Sequence, residues 1–396
     1  MGQPWQGGGG GYQPHRPPVN PRYEETYRPP VNPRPHTRVM PEPGYPPRGG
    51  RPDGPGNYRP DGPPPGGGGA PPAPPRRRRR WRVRRILAIV LVLLVVGAVA
   101  MWFYMDSSLN RVTALTDYSG RPAQGAGTNW LIVGSDSRQG LTDAQAAQLH
   151  TGDSGAVSGG RTDTIMLVHL PDNSTKPTMV SLLRDSWVEI PGHGHNKINA
   201  AYAFGGPTLL VKTVEQATGL RIDHYAEIGL GGFAGVVDDV GGVQMCLPQA
   251  VKDSYAGINL PAGCQTLNGA NALGYVRSRH AFATSDYART QHQREFLGAL
   301  ANKIASPGVL LNPFDLFPVL FDLPGALTVD NGDHLQNLIS LGWNMRGISD
   351  GGLVTTAVPI NGTTHGSLLW DKTKATQLFH DLNTDQAVPS SLITNH

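Results

Sequence analysis

The sequence predicts an α/β domain with a mixed sheet between helices, carried on one membrane-spanning helix. Three observations predict it. An uncharged run of twenty residues, Ile86–Met105, follows a cluster of arginines. Beyond residue 128, short apolar runs alternate with segments of helical spacing. That alternation is the pattern of sheet strands covered by helices.

Residues 1–75 are rich in Pro and Gly and poor in aliphatic side chains. Such a segment buries too little apolar surface to offset its chain entropy, so a disordered tail is expected. Residues 76–105 combine the arginine run with the apolar span, which at 1.5 Å per residue crosses a hydrocarbon core. Trp102, Phe103 and Tyr104 stand at its far end, where an aromatic belt belongs. Arginines before the span predict a cytoplasmic tail and an extracytoplasmic remainder. Residues 106–128 read as a linker or stalk, and 129–396 as one large domain.

Within that domain, Trp130–Gly134, Thr164–Leu170, Thr178–Leu183 and His224–Ile228 read as strands. Pro207–Gly219, Gly232–Val240, Gly269–Arg279 and Asp286–Ile304 have helical spacing. His195–Ala203 reads as a loop running into a helix. Beyond Pro307 a helix over Asp333–Met345 and a strand over Leu353–Ile360 complete the edge. Cys246 and Cys264 are the only cysteines. They lie on a strand and its return, where a disulfide or two buried thiols both fit. In an oxidising compartment the disulfide would contribute about 3 kcal/mol.

Charge distribution excludes a nucleic-acid partner. The chain's pI near 9.1 comes from its tail: residues 1–105 carry 16 Lys+Arg against 5 Asp+Glu, residues 106–396 carry 18 against 25. A net-acidic domain that gathers Arg277, Arg279 and Arg289 within thirteen residues, with Gln293 one turn later, has forks matched to phosphate oxygens. A solvated basic helix face is the bland alternative. Asp136 and Asp163 follow and precede strands, each near an arginine, Arg138 and Arg161. Two such carboxylates with phosphate oxygens suit Mg2+ or Mn2+. Arg184 closes the third strand, and Lys197 fits either another phosphate contact or an ordinary helix-start lysine. Walker, His-Glu-x-x-His and Gly-x-Ser-x-Gly motifs are absent, which removes the footing for nucleotide-driven or serine-hydrolase chemistry.

The ordered set Gly-Ser-Asp136-Ser-Arg138, Arg161-Thr-Asp163, Leu-Arg184-Asp185, Lys197-Ile-Asn199, Val237-Asp238-Asp-Val-Gly-Gly242-Val, Leu267-Asn-Gly through Tyr275-Val-Arg277-Ser-Arg279, and Asp286-x-x-Arg289-x-Gln291-x-Gln293 resembles the LytR-CpsA-Psr family of cell-wall glycopolymer ligases, of the actinobacterial type. The resemblance is strong over about residues 129–305. It implies a three-layer α/β/α sandwich with a long apolar pocket for a lipid tail. It also implies transfer of a glycan phosphate, arabinogalactan in an actinobacterial member, from a polyprenyl-pyrophosphate carrier to peptidoglycan. By the same resemblance Asp136 and Asp163 hold the divalent ion, and Arg184, Arg277, Arg279, Arg289 and Gln293 bind the pyrophosphate, with Arg138 and Arg161 nearby. His292 and Arg294 stand where the family pattern has Arg and Gln; Arg294 lies off the Arg289/Gln293 stripe and is expected to be dispensable. A polyprenyl-pyrophosphate pyrophosphatase and a non-catalytic prenyl-lipid-binding regulator are the competing readings.

Overall fold

The computed structural model describes residues 77–137, 141–149, 151, 160, 162–278, 285–345 and 351–393. Helix α1 (Arg77–Ser107) contains the apolar run, and over Trp81–Ser107 it is long and apolar enough to cross a membrane, with none of its most apolar stretch buried in the protein. The chain continues through β1 (Asn110–Val112), β2 (Thr128–Ser135), α2 (Asp143–Gln148), β3 (Thr162–Leu170), β4 (Thr178–Ser181), β5 (Trp187–Ile190), β6 (Gly194–Lys197) and α3 (Ala200–Thr218). Next come β7 (His224–Gly229), α4 (Leu230–Asp239), β8 (Val243–Leu247), β9 (Val251–Asp253), β10 (Ile258–Leu260), β11 (Gly263–Leu267), α5 (Gly269–Arg277) and α6 (Ser285–Ile304). The last part holds α7 (Pro307–Leu310), α8 (Pro313–Ala326), β12 (Leu327–Asp330), α9 (Leu335–Met345), β13 (Val354–Ala357), β14 (Ile360–Thr364), β15 (Ser367–Trp370) and α10 (Lys372–Asn383).

Among the described residues, seven strands form a mixed central sheet in the order β1-β12-β7-β2-β3-β4-β13. β2 runs antiparallel to β3 and parallel to β7. Its side chains alternate between faces, as a pleated strand requires. Leu131 and Val133 join a core built with Leu210 and Val214 of α3 and Leu378 and Phe379 of α10. Trp130 packs the other way, with Met166 and with Leu341 and Met345 of α9. These are the three expected layers. A further core joins α4, α5, α6 and α8 through Val237, Leu273, Phe296 and Val319.

Three expectations change in the structure. Residues 106–128, expected as a stalk, are part of the domain. β1 pairs in parallel with β12, the Ala114 and Leu115 amides both donate to Asp330 Oδ1, and Arg121 Nε donates to the fully buried Glu215 at 2.9 Å. A three-residue strand carries no readable period, and its partner lies over two hundred residues downstream. The stretch read as a loop before α3 contains β6, the return strand of a hairpin with β5. α3 begins at Ala200 and kinks at Gly205–Gly206 before Pro207. Gly206 takes φ +63°, a conformation that costs glycine little, so spacing alone revealed only the second segment. The cysteine expectation resolves to the bridge: Cys264 faces Cys246 in the β8–β11 register, and the two are joined.

Candidate functional site

β2 and β7 end where β3 begins, because β7 is parallel and β3 antiparallel to β2. This register brings Asp136, just past β2, and Asp163, the second residue of β3, to one cleft. Ligand sites gather at carboxyl ends of sheet strands for this topological reason. The cavity volume of the cleft is about 90 Å³. Its interior is apolar: Ile132 and Ile228 from the sheet, Leu230 and Phe233 from α4, Leu273 and Val276 from α5, and Leu297 from α6. Ser135, Asp136, Asp163, Arg277 and Gln293 supply the polar surface.

On the strand side the charges are paired. Arg184 Nη1 donates to Asp163 Oδ1 at 2.7 Å. Lys197 Nζ lies 3.0 Å from Asp185 Oδ1, and Arg184 Nε approaches Asp185 at 3.8 Å. Lys197 is therefore an ion-pair partner and does not line the cleft.

On the helix side, Arg277 is the last residue of α5. A cation there is favoured by the helix dipole. Its Nη1 is buried and, among the described residues, accepted by no oxygen. A buried donor left unpaired costs about 1–3 kcal/mol, so an anion entering this cleft would meet one arginine N–H already out of water.

The glycine motifs position that arginine. Asp238 Oδ1 accepts the Gly269 amide at 2.7 Å, and Asn268 caps α5 by accepting from the Asn271 amide. A Cβ at Gly269 would lie 2.2 Å from the Ala234 carbonyl, so only glycine allows α5 this close to α4. Gly242 takes φ +84°, and a Cβ there would meet Thr266 at 2.7 Å. The Val-Asp-Asp-Val-Gly-Gly and Leu-Asn-Gly motifs thus aim α5 rather than touch a ligand.

Gln293 is buried and donates from Nε2 to the Val276 carbonyl at 3.1 Å. It holds α6 against the end of α5 while lining the cleft. His292 stacks on Tyr275, ring centroids 4.5 Å apart. Burial pushes its pKa down to about 4, so it is neutral near pH 7 and cannot replace an arginine's charge. Arg294, expected to be dispensable for activity, is partly buried and does not line the cleft. Burial lowers its pKa, and its Nη1 has no partner among the described residues.

α5 ends at Arg277, with Ser278 in an extended conformation. Arg138, Arg161 and Arg279 lie outside the described residues. The backbone of Arg289 lies in α6, one turn before Gln293, and its side chain also lies outside the description. Residue reading missed the apolar wall. Leu297, four residues after Gln293 on the same helix face, was its most legible sign. The Arg184–Asp163 pair had no local signal, because 21 residues separate the partners.

The LytR_cpsA_psr family model matches residues 105–384. The chain belongs to the LytR-CpsA-Psr family. It is 49% identical over 301 residues to "Probable cell wall biosynthesis protein LcpB" of Corynebacterium glutamicum, covering 75% of this chain and 69% of that protein. It is 34% identical over 175 residues to "Polyisoprenyl-teichoic acid--peptidoglycan teichoic acid transferase TagU" of Enterococcus faecalis, covering 44% of this chain and 57% of the relative. Among solved structures, a LytR-Csp2A-Psr enzyme from Actinomyces oris aligns with a TM-score of 0.55 at 24% identity, covering 70% of this chain and 96% of that one. This last likeness shows a shared fold. The match from residue 105 agrees with residues 106–128 being part of the LytR-CpsA-Psr domain.

Proposed function

We propose that this family member is a membrane-anchored phosphotransferase that moves a glycan phosphate from a polyprenyl-pyrophosphate carrier to a peptidoglycan hydroxyl. One observation carries the reading: an apolar cleft opens at two carboxylates and a half-buried arginine whose buried Nη1 is unpaired among the described residues. The names of its cell-wall relatives support it. Arabinogalactan is the polymer proposed, as the resemblance to an actinobacterial family member implies. The arginine run at the start of α1 favours an extracytoplasmic domain, where the Cys246–Cys264 bridge persists.

In the proposed reaction the acceptor hydroxyl attacks the phosphorus that carries the glycan. The bond from that phosphorus to the bridging oxygen breaks, and polyprenyl phosphate leaves with the electron pair. Arg277 stabilises the charge gathering on the diphosphate, the main catalytic demand of phosphoryl transfer. Asp136 or Asp163 takes the hydroxyl proton. Polyprenyl phosphate is a weak base and needs no strong acid to depart. Asp136 and Asp163 also offer hard oxygen donors at one cleft, which suits Mg2+ or Mn2+. No group of three His, Cys, Asp or Glu residues suited to a metal occurs among the described residues, so substrate phosphate oxygens would complete the shell. The bound ion would act as a Lewis acid on the diphosphate.

The test is the full chain in liposomes with labelled lipid-linked glycan, peptidoglycan and Mg2+. Label is expected in peptidoglycan in step with release of polyprenyl phosphate. Free glycan phosphate without transfer would make the protein a pyrophosphatase. Binding without turnover would make it a lipid-binding regulator.

A further inference from the structure

α8 carries two opposed apolar stripes, and the core uses one. Val319 is buried, and Leu323 and Ala326 pack with it against Phe233 and Val236 of α4. On the opposite face stand Phe314, Phe317 and Phe321, at 85%, 52% and 41% exposure. Leu311, between α7 and α8, is 82% exposed, and Leu310 is 49% exposed. From Pro307 to Leu327 the only charged residues are Asp315 and Asp322. A monomer in water gains nothing from such a patch, which marks an interaction surface.

The occupant is indicated by what the patch adjoins. Phe321 meets the ring of Tyr104 edge-on at 5.3 Å, and Tyr104 belongs to the last turns of α1. The chain just past α1 is fastened to the same place: Asn110 Nδ2 donates to the Gly325 and Leu327 carbonyls. Asp106 pairs with Arg111 at 3.0 Å and accepts the Leu335 amide at the start of α9. The exposed stripe therefore starts at the end of the membrane helix and cannot swing away from it. Phe314 lies seven residues from Phe321, about 10 Å along the helix. That is within the reach of an interfacial helix lying on a bilayer.

We infer that α7 and α8 form an interfacial anchor whose exposed Leu311, Phe314 and Phe317 insert into the lipid leaflet at the end of α1. No Lys or Arg occurs between residues 304 and 345, so the insertion is apolar and independent of anionic headgroups. The anchor places the cleft at the lipid surface. α8 packs on α4, whose Leu230 and Phe233 line the cleft, so a prenyl chain passes from leaflet to apolar wall beside one helix. The inference rests on α1 crossing the membrane, and the test separates the two claims.

Single nitroxide labels are placed by Leu311→Cys, Phe314→Cys and Phe317→Cys in the full chain, reconstituted in phosphatidylcholine vesicles. Val95→Cys, in α1, is the lipid reference. Tyr255→Cys, 78% exposed on the β9–β10 hairpin, is the aqueous reference. Collision rates with oxygen and with a water-soluble nickel complex are measured by electron paramagnetic resonance. The three labels should match Val95, with oxygen contact high and nickel contact low, and added phosphatidylglycerol should not change this. Nickel contact equal to Tyr255, with Val95 still in lipid, overturns the anchor and leaves the membrane span standing. Shielding from both reagents means a second protein surface covers the stripe, which also overturns it. Aqueous behaviour at Val95 removes both claims.

Discussion

On the strand side of the cleft, Arg184 lies 2.7 Å from Asp163 and Lys197 lies 3.0 Å from Asp185. On the helix side, Arg277 keeps a buried donor that no described residue accepts. Each side carries an arginine with a buried donor that no described residue accepts, Arg184 Nε and Arg277 Nη1, but only Arg184 is also paired with a carboxylate among the described residues. Strand ends hold cations and carboxylates in a fixed register, so the pairs form within the protein. α5 brings Arg277 to the cleft over apolar neighbours, and no described carboxylate pairs with it there. The strand side is thus expected to position, and the helix side to bind the charge that develops during reaction.

The largest expected effect is on the helix side. Arg277→Ala should lose about 2–4 kcal/mol of transition-state stabilisation, roughly 30- to 1,000-fold in transfer rate. Arg277→Lys should recover little, because an ammonium cannot reproduce the guanidinium fork. Transfer kinetics on folded variants check this, and full activity in Arg277→Ala would remove the distinction between the two sides.

A smaller loss is expected on the strand side. Arg184→Ala removes one charge-assisted hydrogen bond, worth about 1.5–3 kcal/mol or roughly 10- to 100-fold. Much of that loss should vanish when Asp163 is already Asn, since the two act as a pair. Arg277→Ala should combine additively with the same Asp163→Asn change. Equal coupling of both arginines to Asp163 would mean that the sides are not separately organised.

The smallest effect concerns His292, behind the helix side. Its folded pKa of about 4 lies below the ordinary value of 6.5. Between those values the unfolded chain binds more protons, so stability rises with pH across the window and is lost as pH falls from about 6.5 towards 4. His292→Phe retains a ring against Tyr275 and removes the titration. Its melting temperature should therefore drop less than the parent's between pH 7.5 and 4.5. An unchanged drop would place the acid sensitivity elsewhere.

Much of this architecture is legible locally. An uncharged run of twenty residues declares a candidate span, because length and polarity are properties of consecutive residues. Strand–helix alternation declares the layers, and Asp136 and Asp163 are found at strand ends because apolar runs have visible ends. Cys246 and Cys264 sit on a strand and its return, which is enough to suggest their register. The motif order carries the family, and with it the expectation of an apolar lipid pocket.

What tertiary structure decides is which distant groups meet, and in what medium. β1 exists because β12 pairs with it, so residues 106–128 could not be told from a linker by their own pattern. Asp163 is committed to Arg184 and Lys197 to Asp185 because β3, β4 and β6 converge. Arg294 is partly withdrawn from water by the packing of α6, which its place in the sequence does not show. The phenylalanines of α8 divide into no obvious classes in sequence; α4 covers one stripe and leaves the other beside Tyr104. Periodicity and composition are inherited from chain neighbours. Desolvation, pairing and exposure depend on partners more than two hundred residues away, and only the folded chain supplies them.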